Sequence, residues 1–276
     1  MTSTLQFPQP PTTKVRANVS SFSDWQWIKR IKTALAENRF CLYQEQIAAL
    51  NTLDERHYCE VSLRLLDDQD YPIPAEVFLP IAERYQLMPQ IEEWVFQELL
   101  YQIAKADVQV WQDYRFAVPL SESQLKDYQF LDLIHHQLID FGIPTELICF
   151  EISEQTALSN LKLVSEFITD LQTLGYCFTL TQCGSKMSSF TYLKYLPVDY
   201  LKIDQTFVKN MGQDLADKVI VEMINYMGQI MGLQTIATGV DSAEILAEVK
   251  ALDVDYAQGG HLTEAQPMNL GQLSLT

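Results

Sequence analysis

The fold class follows from one segment of the chain, Cys177-Phe178-Thr179-Leu180-Thr181-Gln182-Cys183-Gly184. Its first four residues follow a turn signal at Gly175 and have the composition of a buried strand. In enzymes built on a barrel of parallel strands, the chemistry lies at the carboxyl ends of those strands. Here the expected end carries a hydroxyl, an amide and a thiol, and no charge. The segment therefore predicts a barrel strand whose tip is poorly suited to binding a metal.

Seven other segments repeat the strand pattern, and amphipathic patterns typical of helices separate most of them. The helical patterns cover residues 80–105, 160–174, 214–231 and 242–252. Strands that alternate with helices indicate βαβ units and a parallel sheet. Eight strands in a chain of 276 residues predict an α/β fold, a closed TIM-type (β/α)₈ barrel. The predicted strands are 40–43, 59–66, 115–120, 147–152, 177–180, 200–203, 235–237 and 255–257.

Composition predicts one domain in a reducing compartment. Residues 1–24 are rich in Pro, Thr and Ser and predict a flexible tail or linker, whereas 25–276 form the barrel domain. No apolar run reaches the ~18 residues of a membrane span, and no signal peptide is evident, so we expect a cytoplasmic protein without membrane insertion. The five cysteines show no C-x-x-C spacing, which favours reduced thiols. A formal net charge of −17 argues against nucleic acid as a partner.

The predicted strand ends converge on one pocket. A hard cation such as Mg²⁺ prefers six oxygen ligands, and a two-metal hydrolase needs several carboxylates. Glu60 and Glu151 could hold one cation, but Pro119, Thr181 and Thr238 add little to a metal site. In chain order, the strand ends are Glu45, Glu60, Pro119, Glu151, Thr181, Lys202, Thr238 and Gln258.

Several motifs occur in the order found in one known family. The chain contains Glu60-Val61-Ser62-Leu63-Arg64, then Phe150-Glu151-Ile152-Ser153-Glu154, then the segment 192–204 that ends with Lys202-Ile203-Asp204, and finally Gln258-Gly259. These resemble the E-A-L-L-R, L-E-I-T-E, L-K-I-D and Q-G motifs of the EAL-domain family, the phosphodiesterases that open cyclic di-GMP. The likeness covers residues 25–268 and implies the (β/α)₈ barrel of that family.

The departures from the family pattern fall on its metal ligands. The resemblance implies ligands at Glu60 and Glu151, which are kept, and a catalytic lysine at Lys202. The asparagine of V-N-L-S, however, is Pro119. We therefore expect a degenerate, catalytically inactive EAL domain without catalytic residues, metal or cofactor. The two aspartates of D-D-F-G are replaced by Thr181 and Gln182, and the glutamate of E-G-V-E by Thr238.

Binding of cyclic di-GMP is a separate question, because some degenerate relatives that resemble this chain act as receptors. Arg64 is kept, but Glu45 stands where the family has the glutamine of Q-P-I, and Ser62 replaces an apolar residue. A one-residue shift would place Gln44 in the pocket instead, at the expense of the strand's period of two. We do not expect the dinucleotide to bind. The vestigial pocket, with possible ligand contacts, comprises Glu45, Glu60, Arg64, Glu151, Lys202, Asp204 and Gln258.

The loop after the fifth predicted parallel strand offers a candidate interface at Lys186, Met187, Phe190 and Tyr192. There are two alternatives: the loop sequence has drifted after loss of function, and the aromatic residues pack in the core. The predicted function is a protein-protein interaction module that binds a regulatory or signalling protein, with a homodimer as a further possibility. Two alternatives stay open: a cyclic di-GMP receptor without hydrolysis and a residual cyclic di-GMP phosphodiesterase.

Overall fold

A closed barrel of eight strands forms the centre of the protein in a computed structural model that describes residues 22–51, 56–185 and 190–270. Around the barrel the order is β1-β2-β4-β5-β6-β7-β8-β9, and β1 closes it by pairing with both β2 and β9. All eight predicted strands are confirmed. The short β3 and β10 lie outside this ring and pair with β2 and β1. The strands are β1 (Phe40–Ala49), β2 (His57–Leu66), β3 (Pro72–Pro74), β4 (Tyr114–Pro119), β5 (Ile148–Ser153), β6 (Cys177–Cys183), β7 (Tyr200–Ile203), β8 (Gln234–Thr238), β9 (Tyr256–Gln258) and β10 (Gln266–Pro267).

Helices surround the barrel, and most follow a strand in the βα alternation that the sequence predicts. Within the described residues, no helix combines the length and apolarity that a membrane crossing requires. Lys186, Met187 and most of the predicted tail lie outside the described ranges. The helices are α1 (Asp24–Ala36), α2 (Ala75–Arg84), α3 (Met88–Lys105), α4 (Val108–Asp113), α5 (Tyr128–Phe141), α6 (Glu154–Ser159), α7 (Leu161–Gln172), α8 (Gln205–Asn210), α9 (Leu215–Met231) and α10 (Ala243–Ala251).

The first strand differs from the prediction of a wholly parallel barrel. β1 runs antiparallel to both β2 and β9, whereas the pairs from β2–β4 to β8–β9 are parallel. A parallel pair needs a crossover connection of a dozen or more residues. Only residues 50–56 join β1 to β2, which is too short for a crossover helix. Glu45 was predicted to lie at the carboxyl end of a strand, but it lies in the middle of β1.

The predicted helix 80–105 is two helices. α2 ends at Arg84 and α3 begins at Met88, with Gln86 between them at a positive φ of 58°. The Leu87 amide donates to the Ala82 carbonyl at 2.8 Å, which closes the end of α2. A left-handed residue after the last turn is a common helix terminator. The prediction missed it because Gln86 is neither Gly nor Asn.

A layer of side chains fills the barrel below its open end. Because successive side chains of a strand alternate between its faces, residues two positions apart point to the same side. Tyr58, Cys149 and Tyr200 each precede a predicted pocket residue by two positions, and each is buried inside the barrel. The Tyr58 hydroxyl lies 3.1 Å from Cys149 Sγ and 2.9 Å from Thr179 Oγ1. This layer closes the barrel and leaves its carboxyl end open.

Candidate functional site

An open cleft of about 560 Å³ lies at the carboxyl ends of the parallel strands. All eight predicted strand-end residues line it, together with Gln182 and Asp204. Arg64, also predicted, is not among its lining residues. The described lining further includes residues that were not predicted to belong to the pocket: Glu76, Leu120, Ser153, Gln205, Lys209, Gly239, Asp241, Gly259 and Gly260.

Lys202 forms the central contact of the cleft. Its Nζ donates to Glu60 Oε2 at 2.8 Å and to Glu151 Oε1 at 2.9 Å. Gln258 Nε2 also donates to Glu60 Oε2, at 2.5 Å. The side chains of Lys202 and Glu151 are 7% and 4% exposed, whereas that of Glu60 is 26% exposed. The three strands β2, β5 and β7 thus present an ion triad in which Lys202 and Glu151 are buried and Glu60 is partly exposed.

The two carboxylates of the triad respond differently to their surroundings. Burial raises the pKa of Glu151, and the attraction of Lys202 only partly offsets this. Burial acts in the same direction on Glu60, but Lys202 and Gln258 together hold the pKa of that carboxyl below its ordinary value. Burial would also lower the pKa of Lys202, yet the two carboxylates raise it above the ordinary value. Lys202 is therefore an ammonium ion at neutral pH.

Glu45 adds a further carboxylate beside this triad. It lies opposite Glu60 in the antiparallel pairing of β1 with β2, and both line the cleft. Burial and the charge of Glu60 raise the pKa of Glu45. Gln44 is buried, pairs with Val61 and is not among the cleft residues, so the unshifted register is the one observed.

The remaining strand ends do not fit the two-metal centre that the family resemblance implies. Pro119 at the end of β4 has no side-chain donor atom. The Thr238 hydroxyl donates to the Ile203 carbonyl at 2.6 Å, and Glu60 and Glu151 are both bonded to Lys202. In the parts of the chain that the structure describes, no three His, Cys, Asp or Glu side chains are grouped as metal ligands.

Arg64 lies outside the cleft, against the first strand. Its guanidinium donates to Ser62 Oγ at 3.2 Å and to the Leu63 carbonyl at 2.9 Å, and stacks 5.0 Å from the centre of the Tyr43 ring. Ser62 and Leu63 of its own strand and Tyr43 of β1 therefore fix the position of the Arg64 side chain.

The structure buries Tyr192, one of the predicted interface residues. Tyr192 is only 5% exposed, and its hydroxyl donates to Glu154 Oε1 at 2.6 Å. Glu154, fully buried, is 38 residues away in sequence, so no local pattern could reveal this bond. Phe190 is half-buried against the core. The alternative, that these aromatic residues belong to the core, holds for Tyr192.

Most of the cleft residues that were not predicted lie just beyond the strand ends. Asp204 caps α8 by accepting from the Thr206 amide at 2.8 Å, and α8 brings Gln205 and Lys209 to the cleft. Lys209 Nζ lies 3.0 Å from Asp241 Oδ2. These residues could have been predicted from their position in the sequence, because residues that follow a strand end by a few places reach the same end of the barrel.

Comparison with known proteins gives consistent matches. The profile of the EAL domain matches residues 28–265. The chain is 35% identical over 243 residues to the cyclic di-GMP phosphodiesterase PdeB of Shewanella oneidensis, covering 88% of this chain and 28% of PdeB. It is 29% identical over 241 residues to the cyclic di-GMP phosphodiesterase PdeF of Escherichia coli, covering 87% of this chain and 32% of PdeF. The chain thus spans about a third of the length of these curated relatives.

Solved structures agree with the sequence matches. The FimX EAL domain from Pseudomonas aeruginosa bound to cyclic di-GMP is 28% identical, with a TM-score of 0.80 over 90% of this chain and 99% of that one. The MucR phosphodiesterase in complex with cyclic di-GMP is also 28% identical, with a TM-score of 0.79 over 88% of this chain and 98% of that one. The chain belongs to the EAL-domain family.

Proposed function

We propose that this chain is a non-hydrolytic EAL domain that acts as a protein-protein interaction module in cyclic di-GMP signalling. One observation carries the proposal: near the carboxyl ends of β4, β6 and β8 the cleft is lined by Pro119, Thr181 and Thr238, which bring no carboxylate to it. Two-metal hydrolysis needs a set of oxygen ligands that holds both cations about 4 Å apart. Glu60 and Glu151 are too few for that.

The state of Lys202 supports the same proposal. A general base must be deprotonated and within reach of the proton that it removes. The pKa of Lys202 is raised by two carboxylates, and its ammonium is bonded to both. With the triad intact, Lys202 serves as an internal counter-ion and not as a base.

The relatives favour an alternative, residual hydrolysis. PdeB and PdeF are both cyclic di-GMP phosphodiesterases, and the chain shares a third of its residues with PdeB over most of its length. We favour a non-hydrolytic domain because the metal-ligand positions of the family are replaced at Pro119, Thr181, Gln182 and Thr238. A turnover assay decides between a non-hydrolytic domain and residual hydrolysis.

An exposed apolar stripe on α9 supports the interaction role. Its members recur at intervals of three or four residues, which places them on one face of a helix. Their exposed fractions range from 42% to 76%. The stripe is about 22 Å long at the helical rise of ~1.5 Å per residue. Exposed apolar surface of this kind is typical of protein interfaces. The α9 stripe consists of Leu215, Val219, Met223, Tyr226 and Ile230.

A second candidate is a cyclic di-GMP receptor. The likeness to the FimX EAL domain bound to cyclic di-GMP favours it. The pair of Glu45 and Glu60 argues against a receptor. A carboxylate about 4 Å from a phosphate of the ligand repels it, which weakens the free energy of binding by on the order of 4 kcal/mol at an effective dielectric constant near 20.

Two measurements test the proposal. We expect no linear pGpG above a buffer control when purified protein is incubated with cyclic di-GMP and Mg²⁺ or Mn²⁺, with PdeF as the positive control. We also expect calorimetry to give a Kd for cyclic di-GMP weaker than ~100 µM, or less than about 5.5 kcal/mol of binding free energy. Metal-dependent product would establish a phosphodiesterase, and low-micromolar binding a receptor.

A further inference from the structure

A basic face lies on α1 in a chain whose formal net charge is −17. The helix contains three cations, Lys29, Arg30 and Lys32, and a single carboxylate. Arg30 pairs with Asp68 at 2.6 Å. Neither Lys29 nor Lys32 forms an ion pair with a carboxylate in the part of the chain that the structure describes. Two ammonium groups on this helix are therefore available to a partner.

The same side of α1 presents an aromatic side chain to solvent. Trp25 is 69% exposed, and Lys29 Nζ lies 6.0 Å from the centre of its ring. Helical residues three or four positions apart lie on one face, so Trp25, Lys29 and Lys32 form a row along a groove of about 400 Å³. Trp is among the residues that contribute most to binding at protein interfaces, so this row suits a docking surface. The α1 face consists of Trp25, Ile28, Lys29, Lys32, Thr33 and Ala36.

A groove of the same volume and the opposite charge borders the α9 stripe. It lies between α9 and the residue that follows α10, and it is lined by Glu222 and the exposed Tyr226. Among the described cations, none forms an ion pair with Glu222, whereas Lys218, one turn earlier, is paired with Glu248 at 3.2 Å. A volume of about 400 Å³ accommodates an indole ring. The α9 groove consists of Glu222, Met223, Asn225, Tyr226, Gln229 and Leu252.

The two faces cannot meet within one chain. α1 packs against β2, and α9 packs against β7 and β8, which lie on the far side of the ring of eight strands. Two α9 stripes that paired with each other would bring Glu222 of both copies into one contact, where like charges repel. The repulsion between the net charges of two copies is screened beyond ~8 Å at physiological ionic strength, so the local charges decide the contact. Complementary charge therefore favours α1 against α9.

We infer that the α1 face of one copy docks on the α9 stripe of a second copy, with Trp25 in the α9 groove and Lys29 and Lys32 close to Glu222. Each copy contributes a different face, so the contact is head to tail and produces a ring or an open chain instead of a symmetric pair. This inference rests on the proposed function, because it names another copy of the chain as the partner that the α9 stripe binds.

Self-association of three variants, measured by light scattering over a range of concentrations, tests the inference. The α1 variant combines Trp25→Ala with Lys29→Glu, and the α9 variant combines Met223→Glu with Tyr226→Glu. Both should raise the Kd of self-association at least about ten-fold. The matched control, on α3, combines Tyr101→Ala with Lys105→Glu.

The control also removes an exposed aromatic ring and reverses the charge of the lysine four residues later, where the lysine likewise lies over the ring. It should assemble as the unmodified protein does, and all variants should keep the circular dichroism spectrum of the folded chain. Equal weakening in the α1 variant and the control would reveal an effect of net charge and overturn the inference.

Mixing the variants distinguishes a head-to-tail contact from a symmetric one. The α1 variant keeps an intact α9 stripe, and the α9 variant keeps an intact α1 face. At concentrations where the unmodified protein assembles, each variant alone should be a monomer of 31.7 kDa, and the equimolar mixture should form a dimer and nothing larger. Assembly of the α1 variant alone would reveal a symmetric contact between α9 stripes and overturn the inference.

The failure of this inference can be told apart from the failure of the proposed function. An unmodified protein that stays monomeric while its α9 stripe captures a different protein would overturn this inference and leave the interaction module standing. Metal-dependent formation of pGpG would contradict the proposed function itself.

Discussion

Lys202 Nζ lies 2.9 Å from Glu151 Oε1 inside the barrel, where both side chains are almost completely shielded from water. Each charge is acceptable in this place only because the other is present, since an isolated buried ion would lose its hydration without compensation. The contact joins β5 to β7 across β6. It therefore couples the charge state of the cleft to the stability of the barrel.

Replacing Lys202 with Met should destabilise the fold strongly. The change leaves Glu151 buried without a cation, and breaking a buried pair in this way costs about 3–5 kcal/mol. Urea denaturation at pH 7 measures the loss. The loss should shrink in acid, because protonation removes the unpaired charge of Glu151. Lys209→Met is the control: its pair with Asp241 is about half exposed, so we expect a loss within about 1 kcal/mol. Equal losses for the two variants would contradict the triad as a buried structural unit.

The pH dependence of stability should include a contribution from Glu92. This carboxylate accepts from the Ser121 amide at 2.7 Å and from the Ser121 hydroxyl at 2.8 Å. Burial nevertheless raises the pKa of Glu92 from 4.5 to about 7. An acid with a raised pKa in the folded state stabilises the fold fully below its unfolded pKa and loses that contribution as pH rises through the folded pKa. The free energy of unfolding should thus fall by about 3 kcal/mol between pH 4.5 and pH 7 through this group.

The Glu92→Gln variant isolates that contribution. Chemical denaturation at several pH values should show a flatter profile between pH 4.5 and pH 7 than the unmodified protein gives. The neighbouring Glu93→Gln, on the exposed face of α3, should leave the slope unchanged. Parallel profiles for Glu92→Gln and the unmodified protein would show that another group dominates in this range.

Gly259 should tolerate no side chain. It has φ 155°, and a Cβ there would lie 2.4 Å from the Val240 amide nitrogen and 2.5 Å from the Val240 carbonyl oxygen. Backbone atoms cannot yield as a flexible side chain can. We expect Gly259→Ala to cost more than about 2 kcal/mol in thermal or urea unfolding. Gly232→Ala is the matched control: its φ is also positive, but no atom lies within 4 Å, so only the backbone cost of about 1 kcal/mol applies.

The positions of residues that follow a local period could be predicted from the sequence. The positions that depend on partners distant in the sequence could not. The inward residues at the strand ends could be predicted because each strand alternates between its faces and its carboxyl end opens on the pocket. The direction of β1 was predictable in principle from the short link at 50–56. The hydrogen bond of Tyr192 to Glu154 was not, because it joins two segments that approach each other only after the barrel closes.

The α9 stripe should carry the partner contact of the proposed interaction module. Met223→Glu combined with Tyr226→Glu places two charges at its centre, where both side chains are at least half exposed. The fold should survive, since the side chains that α9 packs against the barrel are different ones, Val221 and Ile224 among them. Light scattering at high concentration should show an assembly for the unmodified protein and a monomer of 31.7 kDa for the variant. Glu substitutions at the exposed Ile139 and Phe141 of α5 are the control and should leave the assembly intact. An unmodified protein that is monomeric, and whose capture of a partner is unaffected by the α9 changes, would show that this face is not the interface.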